Sequence, residues 1–319
     1  MPHSITISAP AKVNLFLEVL RKRADGYHEI VTVFERISLA DTVRIRVGRS
    51  GIGVSSDIPI VRRKEENIAY RAARSMLDFA GSRAAVDIHI TKRIPIAAGL
   101  GGGSSDAAAV LAGLKALLSL NVPAADMMRL GADLGADVPF FLSQARFALG
   151  QGRGDHVVSI PTKKVFFHLL VNPGIRLSTR EVYERFDRMA GSGGGFKGLT
   201  PDAGWLHGSS ERRSRGLTKP DSGATINPAS FLDRLAARPG GKLRNDLQGA
   251  AIGQHGEIGH LIERLASASA TTAIISGSGP SVFCLFRERK EAVCAKQRLA
   301  KGLSPAERRR WSIFVVSTR

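Results

Sequence analysis

An α+β fold in two domains, divided near residue 160, is predicted by three observations. The chain has 319 residues of which 43% are hydrophobic, enough for two cores at about 100–200 residues per domain. Period-two apolar runs recur in both halves and mix with helical patterns without strict alternation. A glycine-rich run, 95–106, joins a strand pattern directly to a helix pattern.

The elements follow in chain order. Val13, Leu15, Leu17 and Val19 alternate, as do Val43, Ile45 and Val47, and again Val86, Ile88 and Ile90, so each set predicts a half-buried strand. Residues 65–79 fit a helix with Ile68, Ala72 and Met76 near one face. Residues 106–118, rich in Ala and Leu, predict a helix that starts after the glycines, and 124–134 another that starts near Pro123. Pattern continues with a strand over 165–171 and a helix over 178–188. Residues 190–224 are rich in Gly and Ser and read as an inserted loop. Order resumes at 231–237, with a helix over 258–267, strands over 272–275 and 281–286, a helix over 290–299 and a last strand over 313–317.

The composition narrows the functional classes. There is no run of about 18 apolar residues and no secretory leader pattern, so a cytoplasmic chain without a membrane contact is expected. Cys284 and Cys294 stand apart from any His cluster, which points away from a zinc site or a disulfide framework. The formal charge of +18 admits a nucleic-acid-binding reading, but the basic residues are scattered with few aromatics among them. A small-molecule partner is expected instead, with the chain a monomer or a homodimer.

The glycine-rich run carries the chemistry. Pro95, Ile96, Ala97, Ala98, Gly99, Leu100, Gly101, Gly102, Gly103, Ser104 and Ser105 precede Asp106. Glycines let backbone N–H groups approach a bound group, and a helix start adds unpaired donors and positive potential, which together make a phosphate cradle. It is not a Walker A loop, because no Gly-Lys-Ser or Gly-Lys-Thr occurs, nor a dinucleotide fingerprint, because Asp106 stands where the third glycine belongs. The His-Arg-Asp and Asp-Phe-Gly motifs of protein kinases are also missing. Ser104 and Ser105 offer hydroxyls to phosphate or Mg2+, or cap the helix. Asp137 lies in Gly-Ala-Asp-Val-Pro, where Pro139 is expected to push Val138 out of helical geometry and leave Asp137 at a structural break.

The run 95–106 resembles the phosphate loop of the GHMP kinases. Ala-Pro-Ala-Lys-Val-Asn-Leu at 9–15, Asp-Gly-Tyr-His-Glu at 25–29, Gly-Ala-Asp-Val-Pro-Phe-Phe at 135–141, Asn-Asp-Leu at 245–247 and Ser-Gly-Ser-Gly at 276–279 complete the likeness. Within that superfamily the combination is similar to the branch acting on 4-diphosphocytidyl-2-C-methyl-D-erythritol, over nearly the whole chain apart from 190–224.

The resemblance implies an N-terminal domain like the second domain of ribosomal protein S5, a ferredoxin-like C-terminal domain, and a site in the cleft between them. It implies ATP and Mg2+ as cofactors, with transfer of the γ-phosphoryl to the 2-hydroxyl of the acceptor. Lys12 and Asp137 become the expected catalytic pair. Asn14, Tyr27, His28, Lys92 and Thr179 become substrate-side residues, Asn67 a nucleotide-side residue, and Ser105 a metal-side hydroxyl. Plainer readings stand beside these: Asp25-Gly26 is a hairpin turn signal, Asn67 a helix cap, and Thr179 an N-cap neighbour. Arg153 sits in a Gly-x-Gly turn of the same resemblance. The turn 276–280 either borders the acceptor or merely joins two strands. Homoserine and mevalonate kinases remain the enzyme alternatives, and a basic nucleic-acid-binding protein the alternative of another class.

Overall fold

The computed structural model describes residues 3–59, 63–191, 226–239, 241 and 243–319. Two long strands, β1 (Ser4–Lys22) and β2 (His28–Val47), pair antiparallel around the Asp25-Gly26 turn. Gly26 has φ +84°, the left-handed conformation that such a turn requires. β3 (Ile52–Ser56) follows, then α1 (Ile68–Phe79), β4 (Val86–Thr91), α2 (Gly102–Leu117), α3 (Ala124–Leu134) and α4 (Val138–Leu142). β5 (Phe147–Gln151) and β6 (His156–Ser159) form a hairpin whose turn holds Gly152 and Gly154 at positive φ.

The second half contributes β7 (Phe167–Asn172), α5 (Thr179–Gly191), α6 (Pro228–Ala237), β8 (Arg244–Asn245), α7 (Gln248–Gln254) and α8 (Gly256–Ser269). It ends with β9 (Ala273–Ile275), β10 (Val282–Phe286), α9 (Arg289–Lys301), α10 (Pro305–Arg310) and β11 (Ser312–Ser317). Among the described residues, seven strands make one sheet in the order β3-β4-β2-β1-β8, with β5 and β6 branching from β2. Four strands make the other, in the order β11-β7-β10-β9. The short β8 crosses over to pair parallel with β1, Phe16 opposite Arg244 and Leu17 opposite Asn245.

Three buried apolar clusters explain why the expected short strand at 13–19 is part of a 19-residue one. One lies between the first sheet and α1 to α4, and another fills the second half. The third joins Ala11, Val13 and Leu15 of β1 to Phe166, just before β7, and to Leu170, Phe283 and Leu285 of the second sheet. β1 is therefore covered on both sides in its middle, and its polar residues Lys12 and Asn14, 3% and 2% exposed, are held inside the molecule. A buried ammonium needs partners, so its position already marks a site.

Three local expectations change. Helix α2 starts at Gly102 and not at Asp106, with Gly101 as its N-cap at φ +68°. Ser104 and Ser105 thus lie within its first turn and do not cap it. Val138 opens α4 and keeps helical geometry, because Pro139 sits in the first turn where its missing N–H costs nothing. Of the inserted loop expected over 190–224, Ala190 and Gly191 instead close α5, and 192–224 lie outside the described residues. No helix among the described residues is long and apolar enough to cross a membrane.

Candidate active site

The glycine loop is folded by three left-handed residues, Ala97 (φ 52°), Gly99 (φ 74°) and Gly101 (φ 68°). They turn the chain so that α2 begins at the loop's end, with its first N–H groups free of intrahelical partners. β1 holds the loop from one side, where the Lys12 N–H donates to the Leu100 carbonyl at 3.0 Å. The turn between β9 and β10 holds it from the other. There Ser276 Oγ donates to the Gly99 carbonyl at 2.9 Å and the Ser281 N–H to the Ala98 carbonyl at 3.3 Å. Asn245 braces this second turn, its Nδ2 donating to the carbonyls of Ile275 (3.0 Å) and Gly277 (2.7 Å).

Lys12 and Asp137 meet beside the loop, with Nζ 3.4 Å from Oδ2. The ammonium also donates to Asn14 Oδ1 at 2.7 Å. Asn14 Nδ2 donates to Thr32 Oγ1 (2.8 Å), which donates to the Phe16 carbonyl (2.7 Å). The chain of bonds orients the amide, so that it presents its oxygen to Lys12. The Lys12 side chain is 4% exposed while that of Asp137 is 30% exposed. A cation fixed in the wall thus faces a carboxylate open to the cleft. A Cβ built on Gly277 would lie 3.3 Å from Lys12 Nζ and 3.4 Å from Asn14 Oδ1. The second glycine turn therefore borders Lys12 and Asn14 as well as joining β9 to β10.

A second group gathers where β2 meets α5. His28, 8% exposed, stacks on Tyr183 with ring centres 4.6 Å apart, and its Nε2 lies 2.7 Å from Asp187 Oδ1. Tyr27 is 55% exposed, and the Arg153 guanidinium lies 5.0 Å from its ring centre. Arg153 is itself held by Asp155 at 2.7 Å. Thr179 and Ser278 share a hydrogen bond of 2.9 Å that ties the start of α5 to the second glycine turn. Burial first, and then the carboxylates of Asp137 and Asp246, raise the phenol pKa of Tyr183.

Two expected ligand residues have other work. Lys92 is not free to meet a diphosphate. Its side chain is 5% exposed, its Nζ is bonded to Asp41 and lies 2.7 Å from Asp106 Oδ2, and a Cβ on Gly102 would fall 3.5 Å from it. It supports the glycine loop from beneath. Burial opposes its charge, but the two carboxylates outweigh that and hold its pKa above the usual value. Asn67 caps α1, with Oδ1 accepting from the Ala69 N–H at 2.9 Å. Ser105 Oγ is buried and has no hydrogen-bond partner among the described residues.

One ammonium between two carboxylates leaves the cluster short of charge compensation. Burial, with Asp41 adding and Lys92 opposing, pushes Asp106 up to about 7 from 3.8. The folded chain then holds a proton there that the unfolded chain has released. This contribution to stability is full below the unfolded value and is lost as pH rises through the folded one. Urea unfolding at pH 5 and pH 7 is expected to show a stability loss across that range that Asp106→Asn reduces. An unchanged slope in the variant would contradict the assignment.

The GHMP kinases N terminal domain matches residues 67–145 and the GHMP kinases C terminal domain residues 233–304. A 4-diphosphocytidyl-2-C-methyl-D-erythritol kinase of Geobacter metallireducens is 40% identical over 99% of this chain and 98% of its own length. The chain belongs to the 4-diphosphocytidyl-2-C-methyl-D-erythritol kinase family of GHMP kinases. The kinase of the same name from Syntrophus aciditrophicus is 36% identical over 98% of both chains. A crystal structure of a 4-(cytidine 5'-diphospho)-2C-methyl-D-erythritol kinase superposes with a TM-score of 0.73 at 32% identity, covering 98% of this chain and 99% of the other. Homoserine kinase from Cytophaga hutchinsonii, at 18% identity and a TM-score of 0.64 over 100% of this chain and 95% of its own, shares the fold.

Tyr183, Asp187, Thr32 and Asn245 were missed as site residues by sequence reasoning. For the first two a signal exists: Thr179, Tyr183 and Asp187 are spaced by four, which places them along one face of a helix. Thr32 and Asn245 act through bonds to residues distant in sequence; Asn245 lies in the Asn-Asp-Leu run of the likeness, which gave it no role, and no local pattern marks Thr32.

Proposed function

We propose that this kinase transfers the γ-phosphoryl group of ATP to the 2-hydroxyl of 4-diphosphocytidyl-2-C-methyl-D-erythritol, giving the 2-phosphate and ADP in non-mevalonate isoprenoid precursor synthesis. The observation that carries the reading is the Lys12–Asp137 pair, set 3.4 Å apart where the glycine loop meets the second glycine turn. The domain division near residue 160 falls between β6 and β7, and the chain works in the cytoplasm on small molecules as a monomer or a homodimer.

The roles follow from chemistry. Backbone N–H groups at 101–104 receive the ATP phosphates at the positive end of α2, while that of Ser105 closes the first helical bond to the Gly101 carbonyl. Asp137 orients the acceptor hydroxyl and takes its proton as the oxygen attacks phosphorus. Lys12 steadies the carboxylate and the charge that grows on the acceptor oxygen. Asn14 points the ammonium, and Lys92 keeps the loop in place. Ser105 Oγ, buried and lacking a protein partner among the described residues, fits Mg2+ together with phosphate oxygens, since this hard ion needs few protein ligands. When bound there, Mg2+ would supply neutralisation of phosphate charge.

The base is read at the other end. His28 hydrogen-bonds its edge, Tyr27 and Tyr183 supply stacking faces, and Thr179 closes over the substrate from α5. Tyr27→Ala is expected to raise KM for the cytidyl substrate about tenfold, from a stacking loss of roughly 1–3 kcal/mol, with kcat little changed. A KM within twofold of the parent would remove Tyr27 from the site.

The assay that tests the function measures ADP release with the cytidyl diphosphate alcohol, homoserine and mevalonate in parallel. Turnover with the first is expected. Turnover only with another alcohol, or salt-dependent DNA retention without any kinase activity, would reverse the reading.

A further inference from the structure

Asp187 lies on α5, two turns beyond Thr179 and one beyond Tyr183, and its two oxygens are used differently. Oδ1 is 2.7 Å from His28 Nε2, and Oδ2 accepts from Lys22 Nζ at 2.7 Å. An ionised carboxylate only accepts, so the hydrogen of this bond belongs to Nε2. Burial opposes the ionisation of Asp187, but the hydrogen bonds from Lys22 and His28 prevail and hold its carboxyl below the usual range. Lys22 already supplies a positive partner, so the carboxylate is satisfied without an imidazolium. A neutral ring that carries its hydrogen on Nε2 has an acceptor at Nδ1. The ring is also held by its stacking on Tyr183, so neither its plane nor its tautomer is free to vary.

We infer that Asp187 sets the nucleobase specificity of the site, by holding His28 in the Nε2–H tautomer so that Nδ1 accepts an N–H of the base and rejects a carbonyl oxygen there. The inference rests on the reading of His28 as the residue that meets the base. Cytosine and uracil differ at position 4, where one carries an amino donor and the other a carbonyl acceptor. An acceptor facing the amino group forms a bond. The same acceptor facing the carbonyl leaves two buried lone pairs unsatisfied, and such mismatches discriminate more strongly than shape does. Asp187 is a positioning residue that works through His28. Carboxylates that fix a histidine's tautomer act in this manner at other sites.

The test compares kcat/KM for the cytidyl substrate with that for its uridyl counterpart, in the parent and in Asp187→Ala, Asp187→Asn, His28→Ala and Lys22→Ala, each checked for folding by circular dichroism. Asp187→Ala is expected to lower the cytidyl-to-uridyl ratio about tenfold while kcat on the cytidyl substrate stays within about threefold. Asp187→Asn, which keeps the size of the side chain but can accept or donate, is expected to lower the ratio as well, and it carries the test if the alanine variant does not fold. Lys22→Ala is expected to lower the ratio less than the Asp187 variants do, because the His28 contact survives while the carboxylate loses its other cation. A ratio that holds in both Asp187 variants while His28→Ala abolishes it would overturn the inference and leave the role of His28 standing. A ratio that holds in His28→Ala would remove the base-reading role itself. An equal fall in Lys22→Ala would assign the effect to the ion pair, and a parent enzyme that prefers the uridyl substrate would mean an imidazolium, against the tautomer argued here.

Discussion

Asp137→Asn is expected to lower kcat about a thousandfold while the protein stays folded. The structural part of this result follows from where Asp137 sits. It is the N-cap of α4, yet its side chain makes no capping hydrogen bond, and the carboxylate is 30% exposed. Among the described residues, replacing it by an amide therefore breaks no bond other than the 3.4 Å pairing with Lys12. The catalytic part follows from what an amide cannot do. It cannot take the proton of the attacking hydroxyl, and it turns no negative charge toward Lys12. Lys12→Met is expected to cost turnover on a similar scale, but with some loss of stability, because Asn14 Oδ1 then loses the donor it meets at 2.7 Å. Circular dichroism and single-turnover rates separate the two effects. A well-folded Asp137→Asn variant with rates near those of the parent would remove Asp137 from the reaction.

Gly99→Ala is expected to destabilise the protein by about 3 kcal/mol or more and to abolish most activity. Gly99 has φ +74°, and a Cβ built on it would lie 2.1 Å from the Ser276 carbonyl oxygen and 2.8 Å from that of Gly279. Both obstacles are backbone, so no side-chain rotation relieves them. Either the phosphate loop or the second glycine turn must move, and Lys12 is tied to both. Gly81→Ala provides the comparison. Its φ is +60°, but a Cβ there meets nothing within 4 Å, so only backbone strain of about 1 kcal/mol is expected. Equal denaturation midpoints for the two variants would contradict the close packing of loop against turn.

Much of the site was legible before the structure, because it depends on local chemistry. The strand, glycine run and helix around residue 100 declare a phosphate cradle through residue types that few other structures require. Lys12 entered through the family likeness, since a lysine on a strand ordinarily faces solvent, and here it is buried beside Asp137. Lys92 came in as a substrate-side residue through the family likeness alone, and only the fold reveals Asp41, 51 residues away, as its partner. The start of α2 was misplaced because Gly102 and Gly103 have poor helix propensity, yet the loop geometry and the packing of the helix draw them into its first turn. The lengths of β1 and β2 were hidden because each strand serves more than one core, so that no single periodicity runs through it. Asp187 and Tyr183 matter through contacts across the cleft, which a helix pattern can suggest only as a shared face.

The most direct test of the central claim follows the label from [γ-32P]ATP after incubation with 4-diphosphocytidyl-2-C-methyl-D-erythritol, with the position of the product phosphate read by NMR. The parent enzyme is expected to give a labelled phosphomonoester on the 2-hydroxyl, and Asp137→Asn only a trace at the same time point. Label on another hydroxyl, or equal label from both proteins, would contradict the account.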